Sequence, residues 1–416
     1  MQIDSLKVRN YRCISEIQLE KIAPITIFVG RNNTGKSAML EAVALASTGD
    51  AVWYDSLDTD LLRSIIQRRG GWDYADLMIK LGELRAEISV TGDQFKGDLL
   101  ITRSTEHLPS EFDSLIYTTL NKYLDDFEFE KRMLRYLAKL PSDKKNLVSR
   151  FSHDYSEWLR KNLLKLFKVI ISYKSNLNSK PECALLGHSE ELKNFVTDIS
   201  SKINEILTYR DSLQKSIIKP IIFQIDDLLR SLSKKKSNTL FLLDPSIYFF
   251  QNLMNRLTKS GELISLITFL KEQITYFEDI REVNKNFLIF LKGLDKPVPL
   301  EAMGDGFRIK LILLSAIANL KQGIAVMEEP ENNLHPGYMG IVANQIIETA
   351  ATNKVQYFIS THSFDFIKFL LEANSSLIKI VRMYRIEDEP EIDYEILTGT
   401  EAIEEYKVLK MDLRGV

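Results

Sequence analysis

Cysteine is nearly absent: Cys13 and Cys183 are the only two in 416 residues. They show no metal-ligand spacing and cannot build a disulfide framework, which fits a reducing cytoplasm. Long hydrophobic runs are missing as well. None approaches the ~18 residues that cross a bilayer. The first 20 residues alternate polar and apolar around Lys7, Arg9 and Arg12, which excludes a signal-peptide core. A soluble, cytoplasmic protein with no membrane partner is expected. No excess of one charge is present either: the formal net charge is -3, so no overall field draws nucleic acid. Glycine is scarce in the middle, where residues 105–240 contain only Gly187 and carry 23 Lys and Arg against 18 Asp and Glu. Core material is plentiful. Hydrophobic residues make up 45% of the chain, enough for two or three structural units.

The pattern along the chain divides it in three. In residues 1–105, the stretch 3–8 alternates like a strand, with Ile3, Leu6 and Val8 inward. The dense apolar run 25–29 reads as a strand buried on both faces, and 37–46 reads as a helix. Residues 85–103 predict a hairpin turning at Gly92-Asp93. In residues 106–285, the spans 146–173 and 191–219 repeat apolar side chains three and four apart. Two long helices follow, reversing around Pro181, as a projecting antiparallel arm or as a helical subdomain packed on the rest. No CxxC marks a metal hook at the tip. In residues 286–416, strand and helix alternate again: strand 287–291, helix 309–320, strand 324–327, helix 340–351, strand 357–360, then a hairpin or edge strands over 377–397. The fold class is α/β, a head split between the two ends of the chain around a large helical insertion.

Gly30, Arg31, Asn32, Asn33, Thr34, Gly35, Lys36 and Ser37 match GxxxxGK[ST] in full, between the buried strand and the helix. The glycines let the backbone turn its N–H groups toward an anion. The following helix, which Ala38 continues, presents its positive end to the same place. Lys36 supplies a charge for the outer phosphates, and Ser37 a hydroxyl for Mg²⁺. ATP with Mg²⁺ is the expected cofactor pair.

Residues 324–336 form the second strong motif: an apolar strand that ends in Glu328 and Glu329. Strand ends are where open α/β sheets bind ligands. Neighbouring strand residues face opposite ways. Glu328 therefore suits the magnesium shell, and Glu329 suits the attacking water as catalytic carboxylate. A third strand, 357–360, runs into Ser360-Thr361-His362-Ser363, placing the His362 imidazole near phosphate. Met303-Gly304-Asp305-Gly306-Phe307-Arg308 precedes a helix and reads as a second anion-binding turn.

In this order the elements resemble the ABC-type ATPase superfamily. Within it they are most similar to the SMC and RecF repair ATPases and to the OLD family with its small defence-associated relatives. The opening Val8-Arg9-Asn10-Tyr11-Arg12 fits too, and the resemblance implies a nucleotide contact for Arg12. It implies an ATP-hydrolysing head that forms a homodimer or higher homo-oligomer, with ATP sandwiched between heads. Gly304, Asp305 and Gly306 of one head would cap the nucleotide of the other, and Asn332, Asn333 and His335 would line the seam. Three features depart from the pattern. Gly304 stands where the family usually has serine, Glu328 where it has Asp, and the expected glutamine is unassigned, with Gln67 and Gln94 as candidates. OLD proteins carry a TOPRIM nuclease domain for which this chain has no room, so a nuclease partner is expected as a separate protein. Three functions stay open: an ATPase gating a partner in antiviral defence, an ATP-dependent scaffold with little turnover, and a DNA repair or chromosome maintenance ATPase holding DNA.

Overall fold

A computed structural model describes residues 2–47, 61–68, 72–93, 95–103, 167–176, 182–188, 239–242, 247–284, 286–386 and 391–414. The chain begins with β1 (Ser5–Tyr11), β2 (Ile14–Glu20), β3 (Ile25–Val29) and helix α1 (Lys36–Ala46). Helix α2 (Leu61–Arg68), β4 (Arg85–Gly92) and β5 (Phe95–Thr102) follow. Next come β6 (Phe167–Ser175), β7 (Glu182–His188), β8 (Thr239–Leu242), α3 (Ile247–Ser260) and α4 (Leu263–Gln273). Three strands β9 (Phe277–Val283), β10 (Asn286–Leu291) and β11 (Val298–Pro299) form a small antiparallel sheet before α5 (Asp305–Ala318). The chain then alternates β12 (Gly323–Glu328), α6 (Pro336–Thr352), β13 (Val355–Ser360) and α7 (Phe364–Asn374). It closes with β14 (Ile378–Arg385), β15 (Ile392–Thr398) and α8 (Gly399–Lys407).

The central sheet has the order β15-β14-β3-β13-β12-β8. Five strands are parallel, and β15 is an antiparallel edge. Its strands alternate between two cores. Ile25, Ile27, Val29, Ala325, Met327, Tyr357 and Ile359 face one, shared with α3 to α7. Phe28, Ile324, Val326, Phe358, Val381 and Met383 face the other, shared with α1 and the N-terminal strands. Burial on both faces is why these segments read as continuous apolar runs. A second, all-antiparallel sheet, β2-β1-β4-β5-β6-β7, covers the α1 side. The hairpin expected at 85–103 is β4 and β5, with Gly92 opposite Phe95.

The insertion needs correcting. Residues 167–173, expected as the end of a long helix, are strand β6, and β6 pairs antiparallel with β7; Pro181 lies outside the described residues. From Phe167, the last apolar residue of that helical spacing, the pattern becomes period two, with Val169, Ile171 and Tyr173 buried. Extension of the sheet edge at β5 satisfies their backbone and overrides the helical pattern. Residues 106–285 also supply β8 to the central sheet, so the described part of that segment is not wholly helical. The helices expected over 146–166 and 191–219 lie outside the described residues, as does Gln94.

Candidate nucleotide and hydrolysis site

Strands β3, β13 and β12 lie side by side and parallel, so their C-terminal ends, Val29, Ser360 and Glu328, converge on one edge of the sheet. The site is built there. After β3 the chain curls through three residues of positive φ, Gly30 (144°), Asn33 (62°) and Gly35 (88°), and Gly35 caps α1. A Cβ on Gly30 would lie 2.1 Å from the Met383 carbonyl oxygen of β14, so this position admits only glycine. Thr34 Oγ1 donates to the Arg31 carbonyl at 2.9 Å, and Arg385 Nε to the Asn33 carbonyl at 3.1 Å, which hold the curl closed. Lys36 is buried and folds back over the loop, donating to the carbonyls of Gly30 at 2.9 Å and Arg31 at 2.8 Å. Burial pushes its ammonium below the usual lysine range, against the opposing pull of Glu329 and Glu328. Arg31, Asn32 and Asn33 are exposed on the loop, while Thr34 and Ala38 are buried.

Ser37 and Glu328 meet. The Ser37 hydroxyl donates to Glu328 Oε1. Glu328 Oε2 is buried and has no hydrogen bond. A hydroxyl and a carboxylate are hard donors, the set that Mg²⁺ shares with phosphates and waters. Among the described residues no cluster of three or more His, Cys, Asp and Glu could hold a metal by itself.

Glu329 leaves the strand with φ 45°, a left-handed conformation that a non-glycine residue adopts where surroundings impose it. Its N–H donates to the Ser360 carbonyl at 2.8 Å, which extends the ladder by one residue and turns the side chain out. Glu329 Oε2 accepts from Asn332 Nδ2 at 2.6 Å, and Oε1 lies 3.5 Å from His362 Nε2. Burial and the positive Lys36 hold the imidazole below its ordinary 6.5, opposed by Glu329, while Arg414 adds to the depression. His362 is therefore neutral at neutral pH, able to donate from one nitrogen and accept at the other.

Three residues escaped the sequence reading. Glu331 is 6% exposed. Its Oε1 accepts from the Thr361 hydroxyl at 2.5 Å and from the backbone N–H of His362 at 3.2 Å and Ser363 at 3.3 Å. It thereby fixes the turn that carries the histidine. Its place directly after Pro330 in the acidic motif was the available signal. Arg414 donates to the His362 carbonyl at 3.2 Å and is braced by Asp412. Arg68, at the end of α2, lies beside Glu328. No motif pointed to either arginine. Gln67 precedes Arg68 on α2.

The remaining expected residues lie elsewhere. Arg12 pairs with Glu41 of α1, and Tyr11 donates to the same carboxylate at 3.3 Å, tying the first hairpin to the helix of the phosphate loop. Gly304 caps α5, with Gly304 and Asp305 exposed and Asp305 3.2 Å from Arg308. Among the described residues no hydrogen bond or ion pair links 304–308 to the phosphate loop. A Cβ on Gly306 would lie 2.9 Å from the Asn333 carbonyl, so this turn packs on the loop that follows Glu329. Asn332, Asn333 and His335 are exposed beside it.

Residues 1–367 match the family described as AAA ATPase domain, and the chain belongs to that family. It is a P-loop ATPase that hydrolyses ATP to ADP and phosphate. A Helicobacter pylori protein (strain ATCC 700392 / 26695), described as an ATP/GTP phosphatase, is 20% identical over 378 residues, covering 88% of this chain and 87% of its own. A shorter uncharacterised protein of Methanocaldococcus jannaschii, MJECL11, is 31% identical over 114 residues, which is 27% of this chain and all of that one. Among solved structures, an SMC head bound to the C-terminal winged-helix domain of ScpA aligns with TM-score 0.45 and 12% identity over 97% of this chain and 100% of that one. The Thermotoga maritima SMC head aligns with TM-score 0.37 and 11% identity over 95% of this chain and 99% of that one. Among the described residues no helix is long and apolar enough to cross a membrane.

Proposed function

We propose that hydrolysis occurs at the joined ends of β3, β12 and β13. The phosphates take the cradle of residues 30–38, and Lys36 exchanges its loop carbonyls for phosphate oxygens. Ser37 and Glu328 hold Mg²⁺, which when bound spreads the phosphate charge. Glu329 accepts the proton of the attacking water, and neutral His362 positions that water and the γ-phosphate. The observation that carries this is the pairing at one sheet edge of Ser37 with Glu328 and of Glu329 with His362.

The exposed turn 304–306, packed on Asn333, is the surface through which a second copy would close over the nucleotide. That supports a head-to-tail homodimer whose cycle gates a separate partner, a nuclease in antiviral defence being the first choice. Gly304 supports a second reading. A signature turn without a serine hydroxyl lacks one donor to the γ-phosphate, so the same dimer would turn over slowly and act as a nucleotide-dependent scaffold. The DNA maintenance reading rests on the basic excess of residues 105–240, most of which lie outside the described residues.

The test is phosphate release and nucleotide binding for wild type, Lys36→Ala and Glu329→Gln. Lys36→Ala should lose binding, and Glu329→Gln should keep binding but lose release. Release unchanged in both variants would remove this site from the reaction.

A further inference from the structure

Glu328 meets two elements at once. Its Oε1 accepts the Ser37 hydroxyl, and its buried Oε2 lies 2.5 Å from Arg68 Nη1. The guanidinium is close in distance but not aligned as a hydrogen bond, for Oε2 has no hydrogen-bond partner. The contact is an ion pair between a partly exposed arginine and the carboxylate. Arg68 is the last residue of α2, whose Leu61, Ile65 and Ile66 are buried in the same core as α1. The helix is anchored while its terminal side chain stays 37% exposed and free to swing into water. Glu328 itself is 11% exposed and would otherwise hold a negative charge beside the phosphate cradle.

We propose that Arg68 is a built-in stand-in for the divalent cation. It neutralises Glu328 when no metal is bound and yields Oε2 when Mg²⁺ arrives with nucleotide. This rests on the nucleotide and magnesium site proposed above. One carboxylate oxygen cannot serve an arginine and a metal ion at the same place, so the two compete. Phosphate entering without metal meets a neutralised Glu328 instead of a bare carboxylate. Arrival of the metal releases the end of α2, which makes that helix a reporter of metal loading.

The test compares ATP affinity in Mg²⁺ and in EDTA for wild type, Arg68→Ala and Arg68→Lys, using a fluorescent ATP analogue and confirming the fold by circular dichroism. Arg68→Ala should bind about tenfold more weakly in EDTA, the lower end for a contact with a charged group, since the side chain is partly exposed. It should also reach half-saturation at a lower Mg²⁺ concentration. Arg68→Lys should stay near wild type in both. The double variant Arg68→Ala/Glu328→Gln should lose the EDTA penalty, because no carboxylate charge is left to neutralise. An equal ratio of affinities in the two buffers for wild type and Arg68→Ala overturns the inference. Wild type that binds no nucleotide in either buffer overturns the site itself, and this inference with it.

Discussion

At the scale of the residue, Glu331 links the chemistry to the fold. One oxygen holds three donors of the 361–363 turn, while Oε2 is buried without a hydrogen bond. Burial raises its carboxyl above the usual 4.5 despite the Thr361 hydroxyl and backbone donors. A raised value means that its contribution to stability is full below pH 4.5 and is lost as pH rises through the folded value. Glu331→Gln keeps the accepting oxygen and removes the charge. Its Tm at pH 7 should equal or exceed wild type, with the gain gone by pH 4, as thermal melts would show. Glu331→Ala removes the acceptor of the Thr361 hydroxyl and of the His362 N–H, while the Ser363 N–H keeps Thr361 Oγ1 at 2.9 Å; it should destabilise by about 1–3 kcal/mol in chemical denaturation, with slower turnover because the His362 turn is released. His362 has the opposite sign. Its folded value lies below 6.5, so its contribution is present above pH 6.5 and is lost as pH falls through the folded value. Wild type should therefore lose more Tm between pH 7 and pH 5 than His362→Asn. A parallel loss would mean that this imidazole does not titrate as the site requires.

At the scale of the element, what could be read in the sequence followed its chemical punctuation. The glycines, the lysine and the paired glutamates announced the ends of β3 and β12, because only a few residue types allow that backbone and that charge. The alternation of 85–103 announced β4 and β5. The stretch 167–173 misled because the helical spacing that leads into it, Leu163, Leu166 and Phe167, gives way to alternation at Phe167, Val169, Ile171 and Tyr173, and only the neighbouring β5 edge decides between them. Arg68 and Arg414 could not be foreseen, since their partners lie 260 and 52 positions away and no local pattern marks them. Packing between elements also explains Gly306, whose conformation is ordinary but whose missing side chain lets α5 approach Asn333. Gly306→Ala should push the two loops apart. Nucleotide binding should stay within about twofold of wild type, because the phosphate loop is untouched, while turnover falls. Loss of binding equal to the loss of turnover would contradict that separation.

At the scale of the whole molecule, the central sheet is a platform between two cores, and its parallel strands bring Gly30, Glu328, Glu329 and His362 to one edge. Gly304 and Asp305 are exposed, as are Asn332 and Asn333, and Gly306 packs on Asn333; on the proposed reading this is the surface that a further copy of the chain covers. With ATP and Mg²⁺, Glu329→Gln should shift from monomer to dimer by light scattering, because closure is completed and release is blocked. Wild type should show the shift only transiently. The account turns on Glu329 as the group that activates water. The direct measurement is phosphate release from ATP in single turnover, wild type against Glu329→Gln, with binding recorded on the same samples. A fall of ~10²–10⁴-fold in the release step at unchanged affinity is predicted. Release at the wild-type rate in Glu329→Gln would contradict it.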